Sequence, residues 1–134
     1  MLADAPTIVR LSLHVLAATI WVGGQFTLAG LVPVLRGAGT GVAPAAARQF
    51  SKLAWPAYAV LLATGIWNIA ATDPAHQSTA WQAVLGAKIG VFLLSGLSAW
   101  MHQRASRPRD LAIWGAISGI SAPAALVLGV ALAG

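Results

Sequence analysis

The sequence predicts an all-α integral membrane protein, a four-helix bundle running up-down-up-down with both termini outside. Three observations predict it. The 134 residues are 58 % hydrophobic and 8 % charged, where a soluble domain carries about 25 % charged residues. Mean hydropathy is +0.78. Four apolar runs, each near the ~20 residues that cross ~30 Å of hydrocarbon, are separated by short polar segments. The length permits one domain, 1–134. No room is left for a soluble catalytic domain, so any chemistry belongs among the helices.

Span one is expected at 7–35, interrupted by Gly23, Gly24 and Gly30 and ending at Pro33. No basic segment precedes it: Asp4 comes first and Arg10 is the only cation. Its apolar stretch also exceeds the ~7–15 residues of a signal-peptide core. It reads as a first span that stays. Span two is expected at 55–71, with Pro56 in the first helical turn, where the missing N–H costs nothing, and Thr72-Asp73-Pro74 as its stop. Spans three and four are expected at 81–101 and 111–133. Pro123 inside span four frees a carbonyl one turn back and predicts a kink, with Ser118 or Ser121 as compensating donors. The stretch 37–47 reads as a flexible loop, while 45–52 can form a short interfacial helix. Gly115, Gly119 and Ala122 on span four, and Gly86, Gly90 and Ser95 on span three, predict close helix packing through small side chains.

The net charge of +5 raises nucleic acid as a partner, but the basic residues form no patch among aromatics. Six of the eight cations (Arg36, Arg48, Lys52, Arg104, Arg107 and Arg109) fall in the first and third loops. That is the positive-inside pattern, which puts both loops in the cytoplasm and excludes nucleic acid as the partner. The expected partner is the bilayer, with a homodimer or a larger membrane complex also open. Trp55, Trp81, Trp100 and Trp114 fall near span ends and read as an aromatic belt. No cysteine is present, which excludes disulfides, thiolate metal ligands and cysteine catalysis.

Two ionisable residues stand inside the spans, where a lysine costs about 2.5–3.5 kcal/mol to insert and a functional role is the default reading. His14 lies seven residues into span one and Lys88 seven beyond Trp81. At 1.5 Å per residue each is roughly 10 Å deep, in one layer of the outer half of the bilayer. Arg10, His14, Trp21 and Gln25 keep one face by spacings of four, seven and four. Thr64 and Asn68 are one turn apart on span two near the same layer. These residues predict a polar pocket between spans one, two and three. A blander reading stands beside it: Lys88 snorkels outward, His14 bonds a carbonyl, and Arg10 anchors span one at the interface. His102 reads as a solvated or headgroup residue and His76 as a loop residue.

The three acidic residues are all Asp, at or beyond span ends. That excludes a carboxylate proton relay, an acidic pair for sodium coupling and a Ser-His-Asp triad. Copper(I) favours soft ligands, and the two Met residues are Met1 and Met101. A single axial histidine in an apolar, glycine-spaced helical setting suits a b-type haem better, with His14 as metal ligand and Arg10 and Lys88 neutralising propionates.

The stretch Leu13-His14-Val15-Leu16-Ala17-Ala18-Thr19-Ile20-Trp21-Val22-Gly23-Gly24 resembles the membrane domain of the copper-resistance D (CopD) family and the related HemJ-type protoporphyrinogen oxidases. Phe50-Ser51-Lys52-Leu53-Ala54, Thr64-Gly65 and Ala87-Lys88 carry the same resemblance, and Ala122-Pro123 in span four carries it loosely. The CopD likeness implies copper handling across a bacterial inner membrane. The HemJ likeness implies haem binding and oxidation of protoporphyrinogen, with His14 and Lys88 as functional positions. Ser121 stands where that second pattern has an acidic residue. The function expected is a CopD-like protein that binds a metal centre, b-type haem, near His14 and Lys88. Copper binding or transport and a structural subunit of a larger membrane complex are the alternatives.

Overall fold

The computed structural model describes all 134 residues. The chain is all-helical, with four helices long and apolar enough to cross a membrane: α1 (Ala5–Gly37), α2 (Val42–Thr72), α3 (Thr79–Arg104) and α4 (Pro108–Ala133). Each helix start has a local cause. Asp4 caps α1 by accepting from the Thr7 N–H at 3.2 Å, and Ser78 caps α3 by accepting from the Trp81 N–H at 3.2 Å. Pro108 opens α4 from an extended Arg107, with Asp110 in the first turn, where a negative charge favours the helix dipole. The turn into α2 needs left-handed backbone, supplied by Gly41 at φ 88°. Asp73 ends α2 at φ 46°, just before Pro74 as the Thr-Asp-Pro stop predicts.

Two boundaries differ from the sequence expectation. α2 begins at Val42, not near Trp55, so most of the expected loop 37–47 and the whole of 45–52 belong to one continuous helix. Pro56 lies inside that helix. The carbonyl it leaves unpaired is that of Lys52, beside the charged segment Arg48 to Lys52, where water or headgroups can satisfy it. Likewise Pro33 does not end α1, which continues to Gly37.

The chain forms two compact units, Met1–Asp73 and Pro74–Gly134. In the first, α1 and α2 pair antiparallel: Arg10 meets Asn68, His14 meets Thr64 and Trp21 meets Tyr58. The seam buries Ala17, Trp21 and Val22 on α1 and Ala54, Ala57, Leu61 and Thr64 on α2. In the second, α3 and α4 pair antiparallel. The Trp81 indole N–H donates to the Leu132 carbonyl at 3.3 Å, and His102 meets the Leu111 carbonyl at 2.8 Å. Ser95, Gly96 and Ser98 are buried on α3, and Ser118, Ser121, Ala122 and Ala125 on α4.

Serine and alanine, rather than the expected glycines, therefore dominate that seam. Gly86, Gly90 and Gly119 are exposed, and a Cβ added to any of them meets nothing within 4 Å. The serine hydroxyls turn back on their own helices, Ser98 to the Leu94 carbonyl at 2.7 Å and Ser121 to the Ser118 carbonyl at 3.4 Å. Ser121 thus serves the carbonyl beside the one that Pro123 frees. Large apolar side chains point outward, among them Ile120 at 71 % and Val34 at 69 % exposure. In water such a surface would aggregate; in lipid it is the expected outer face.

Candidate functional site

In the first unit the polar residues of α1 and α2 are joined pairwise across the seam. Arg10 Nη1 donates to Asn68 Oδ1, so Arg10 turns inward along the seam rather than serving only as an interface anchor. One turn further along α1, His14 Nδ1 lies 2.7 Å from Thr64 Oγ1. The Thr64 hydroxyl lies 2.7 Å from the Val60 carbonyl and 3.3 Å from that of Leu61. The ring is thus held through Nδ1, which fixes its orientation in the way a supporting partner orients a ligating histidine. Next to Thr64, Gly65 faces the same ring: a Cβ there would sit 4.0 Å from His14 Cε1, an ordinary van der Waals contact.

Further along α1 the residues Thr19–Gly23 form a π-helical turn, which uniform helical spacing did not anticipate. The hydroxyls of Thr19 and Thr27 bond the Val15 and Gly23 carbonyls at 2.9 and 2.8 Å, flanking the wider turn. Trp21 sits inside it at 3 % exposure. Its ring lies 4.6 Å from Tyr58 and 5.5 Å from Trp55, and Trp55 lies 5.7 Å from Tyr58, centroid to centroid. Trp55 is therefore part of a three-ring cluster in the α1–α2 seam, thirteen residues into α2 rather than at its start. Phe50 packs where a Gly24 side chain would be. A π turn adds one residue to the helix, so positions beyond it fall about 100° off the expected face. Gln25, half-buried, lies beyond the turn, and the spacing that aligned it with His14 does not carry across.

Lys88 belongs to the second unit. It is half-buried on α3, and its side chain lies against Gly129 of α4, where a Cβ would be 3.0 Å from Nζ and 3.4 Å from Cε. Along its own helix Lys88 comes nine residues after Thr79, as His14 comes nine after Ala5. His102 is half-buried at the end of α3. Its Nδ1 donates to the Leu111 carbonyl at 2.8 Å, and the ring covers Gly115, whose Cβ would meet it at 3.1 Å. His76 lies exposed in the short 3-10 turn Pro74–His76.

Tyr58 is a residue that the sequence marks only indirectly. Ala54, Ala57, Leu61 and Thr64 repeat at intervals of three and four and mark one face of α2, which a helix starting at Trp55 would cut short. No group of three or more His, Cys, Asp or Glu side chains gathers anywhere.

The family model for copper resistance protein D (CopD) matches residues 44–133. That match takes in nearly all of α2 and the whole of α3 and α4. No curated protein and no solved structure matches the chain.

Proposed function

The chain belongs to the copper resistance protein D (CopD) family, and from that premise we propose that this multi-pass membrane protein binds a metal centre at His14, a b-type haem ahead of bare copper. The His14–Thr64 pair carries the reading: an imidazole inside a membrane span, held in orientation through Nδ1. The donor set supports that order of the two. A resident copper ion held by several soft side chains does not fit, because cysteine is absent and the methionines are Met1 and Met101. Haem asks less of the chain: one axial nitrogen, apolar walls and cations for its propionates. His14 would supply the first and Arg10, steadied by Asn68, one of the cations. Bound haem would supply one-electron redox chemistry. The chain's own part is to orient the imidazole, neutralise the acidic groups and exclude water.

A second reading is favoured by the family's description: copper as cargo, with His14 a transient ligand. A bacterial inner membrane is the compartment proposed for either reading.

The absorbance spectrum of the purified full chain tests both. A Soret band that is absent in His14→Ala supports haem. A featureless spectrum with stoichiometric copper supports the cargo reading. Neither cofactor, with co-purification of a large membrane partner, overturns both and favours a structural subunit.

A further inference from the structure

The opposite end of the second unit holds a separate arrangement. α3 ends at Arg104, α4 begins at Pro108, and Ala105 and Arg107 between them are extended, with ψ of 134° and 136°. Between the two helix ends lies a cleft of about 200 Å³ lined by Met101, Arg104, Ser106, Arg107, Asp110 and Trp114. At ~30 Å³ per water molecule, it holds a phosphodiester with its first substituent and not a folded peptide. The frame is fixed from below, because His102 bonds the Leu111 carbonyl and its ring covers Gly115. Arg104 is fixed too: its guanidinium carbon stands 4.3 Å from the Trp100 ring centroid. That stacking reduces the rotamer freedom lost when an anion binds.

The lining is mixed in a specific way. Arg104 and Arg107 offer planar, permanently charged donors to a phosphate. Trp114 and Met101 form an apolar wall, which a free phosphate would not use. Asp110 would repel a bare anion, but it can accept from a hydroxyl donor carried beside one. Cation, apolar wall and acceptor together describe an amphiphile at the membrane surface, where basic residues next to a span attract anionic lipid and indoles settle at headgroup level. We propose that this cleft binds the headgroup of an anionic glycerophospholipid bearing hydroxyl groups, as phosphatidylglycerol does. The phosphate sits between Arg104 and Arg107, a headgroup hydroxyl donates to Asp110, and the glycerol lies against Trp114.

Titration of the purified full chain in neutral detergent, read by native mass spectrometry and thermal unfolding, tests the proposal. One phosphatidylglycerol per chain should bind and raise the midpoint, while phosphatidylcholine and inorganic phosphate leave it unchanged. R104Q/R107Q should weaken phosphatidylglycerol at least about tenfold. D110A removes both the acceptor and the repulsion, and should lower the binding of phosphatidylglycerol relative to phosphatidic acid, which carries no headgroup alcohol. R104K keeps the charge and loses the planar stack, and should cost a few-fold; together with D110A it decides the matter if the double variant fails to fold. Equal binding of phosphatidylglycerol and phosphatidylcholine, or wild-type binding in R104K with an unchanged lipid preference in D110A, overturns the proposal. So does an equal loss in R36Q/R48Q, which would mean diffuse charge attraction, or an equal shift with inorganic phosphate.

Discussion

The two helix pairs solve the same packing problem in opposite ways. The α1/α2 seam is filled by large and polar groups: three aromatic rings at one level, then His14 with Thr64, then Arg10 with Asn68. In the α3/α4 seam, Ser95 and Ser98 at 0 % exposure meet a helix whose buried positions are serine and alanine. Inter-helix hydrogen bonds stand at the two ends of that pair, Trp81 to Leu132 and His102 to Leu111. Lipid provides little hydrophobic drive for helix association, so packing and hydrogen bonds must hold each pair. Small residues achieve this through backbone proximity. Large polar ones achieve it through named partners, and those partners leave side-chain chemistry in the seam.

The sharpest way to break the comparison is Trp21→Ala. Removing the central ring of the aromatic cluster should cost about 3 kcal/mol or more, read as a lower thermal midpoint in detergent. Ser98→Leu should be next, at about 1–3 kcal/mol, because the second seam has no volume to yield. An equal substitution on the lipid face, such as Gly90→Leu, should leave the midpoint unchanged, since nothing lies within 4 Å of a Cβ there. Thr64→Val removes the bond to His14 and should cost only about 0.6 kcal/mol, the usual value for a hydrogen bond between membrane helices. Its diagnostic effect is a displaced imidazole resonance in the NMR spectrum, with the fold retained.

The smallest effect concerns pH. Hydrogen bonds from Thr7, through its side chain first and then its backbone N–H, hold the Asp4 carboxyl below the usual carboxylate range. A carboxylate whose pKa is lowered on folding contributes stability above its unfolded pKa and loses it as pH falls through the folded one. The contribution of this fully exposed cap is therefore complete above about pH 4 and fades in more acidic solution. Asp4→Asn should remove that acid-sensitive part of α1 fraying, measured by hydrogen exchange of the first turn, and leave the rest of the unit unchanged.

Membrane character, the all-α class and four spans were determined by the sequence alone, because apolar runs of crossing length allow no other economical use of their backbone polar groups. The stop at Thr72-Asp73-Pro74 was equally local, since the turn geometry resides in those three residues. His14 was conspicuous for the same reason: an ionisable group within an apolar run needs no coordinates to stand out. What only the tertiary structure decided depends on a neighbouring helix. Pro56 is tolerated inside α2 because the carbonyl it strands is that of Lys52, in a charged, exposed segment. The π turn at Thr19–Gly23 accompanies the packing of Trp21 against Trp55 and Tyr58. The orientation of the His14 ring follows from a hydroxyl fifty residues away. Helical periodicity reports which face a residue occupies, but not what stands opposite it, and in these seams the opposite residue sets the chemistry.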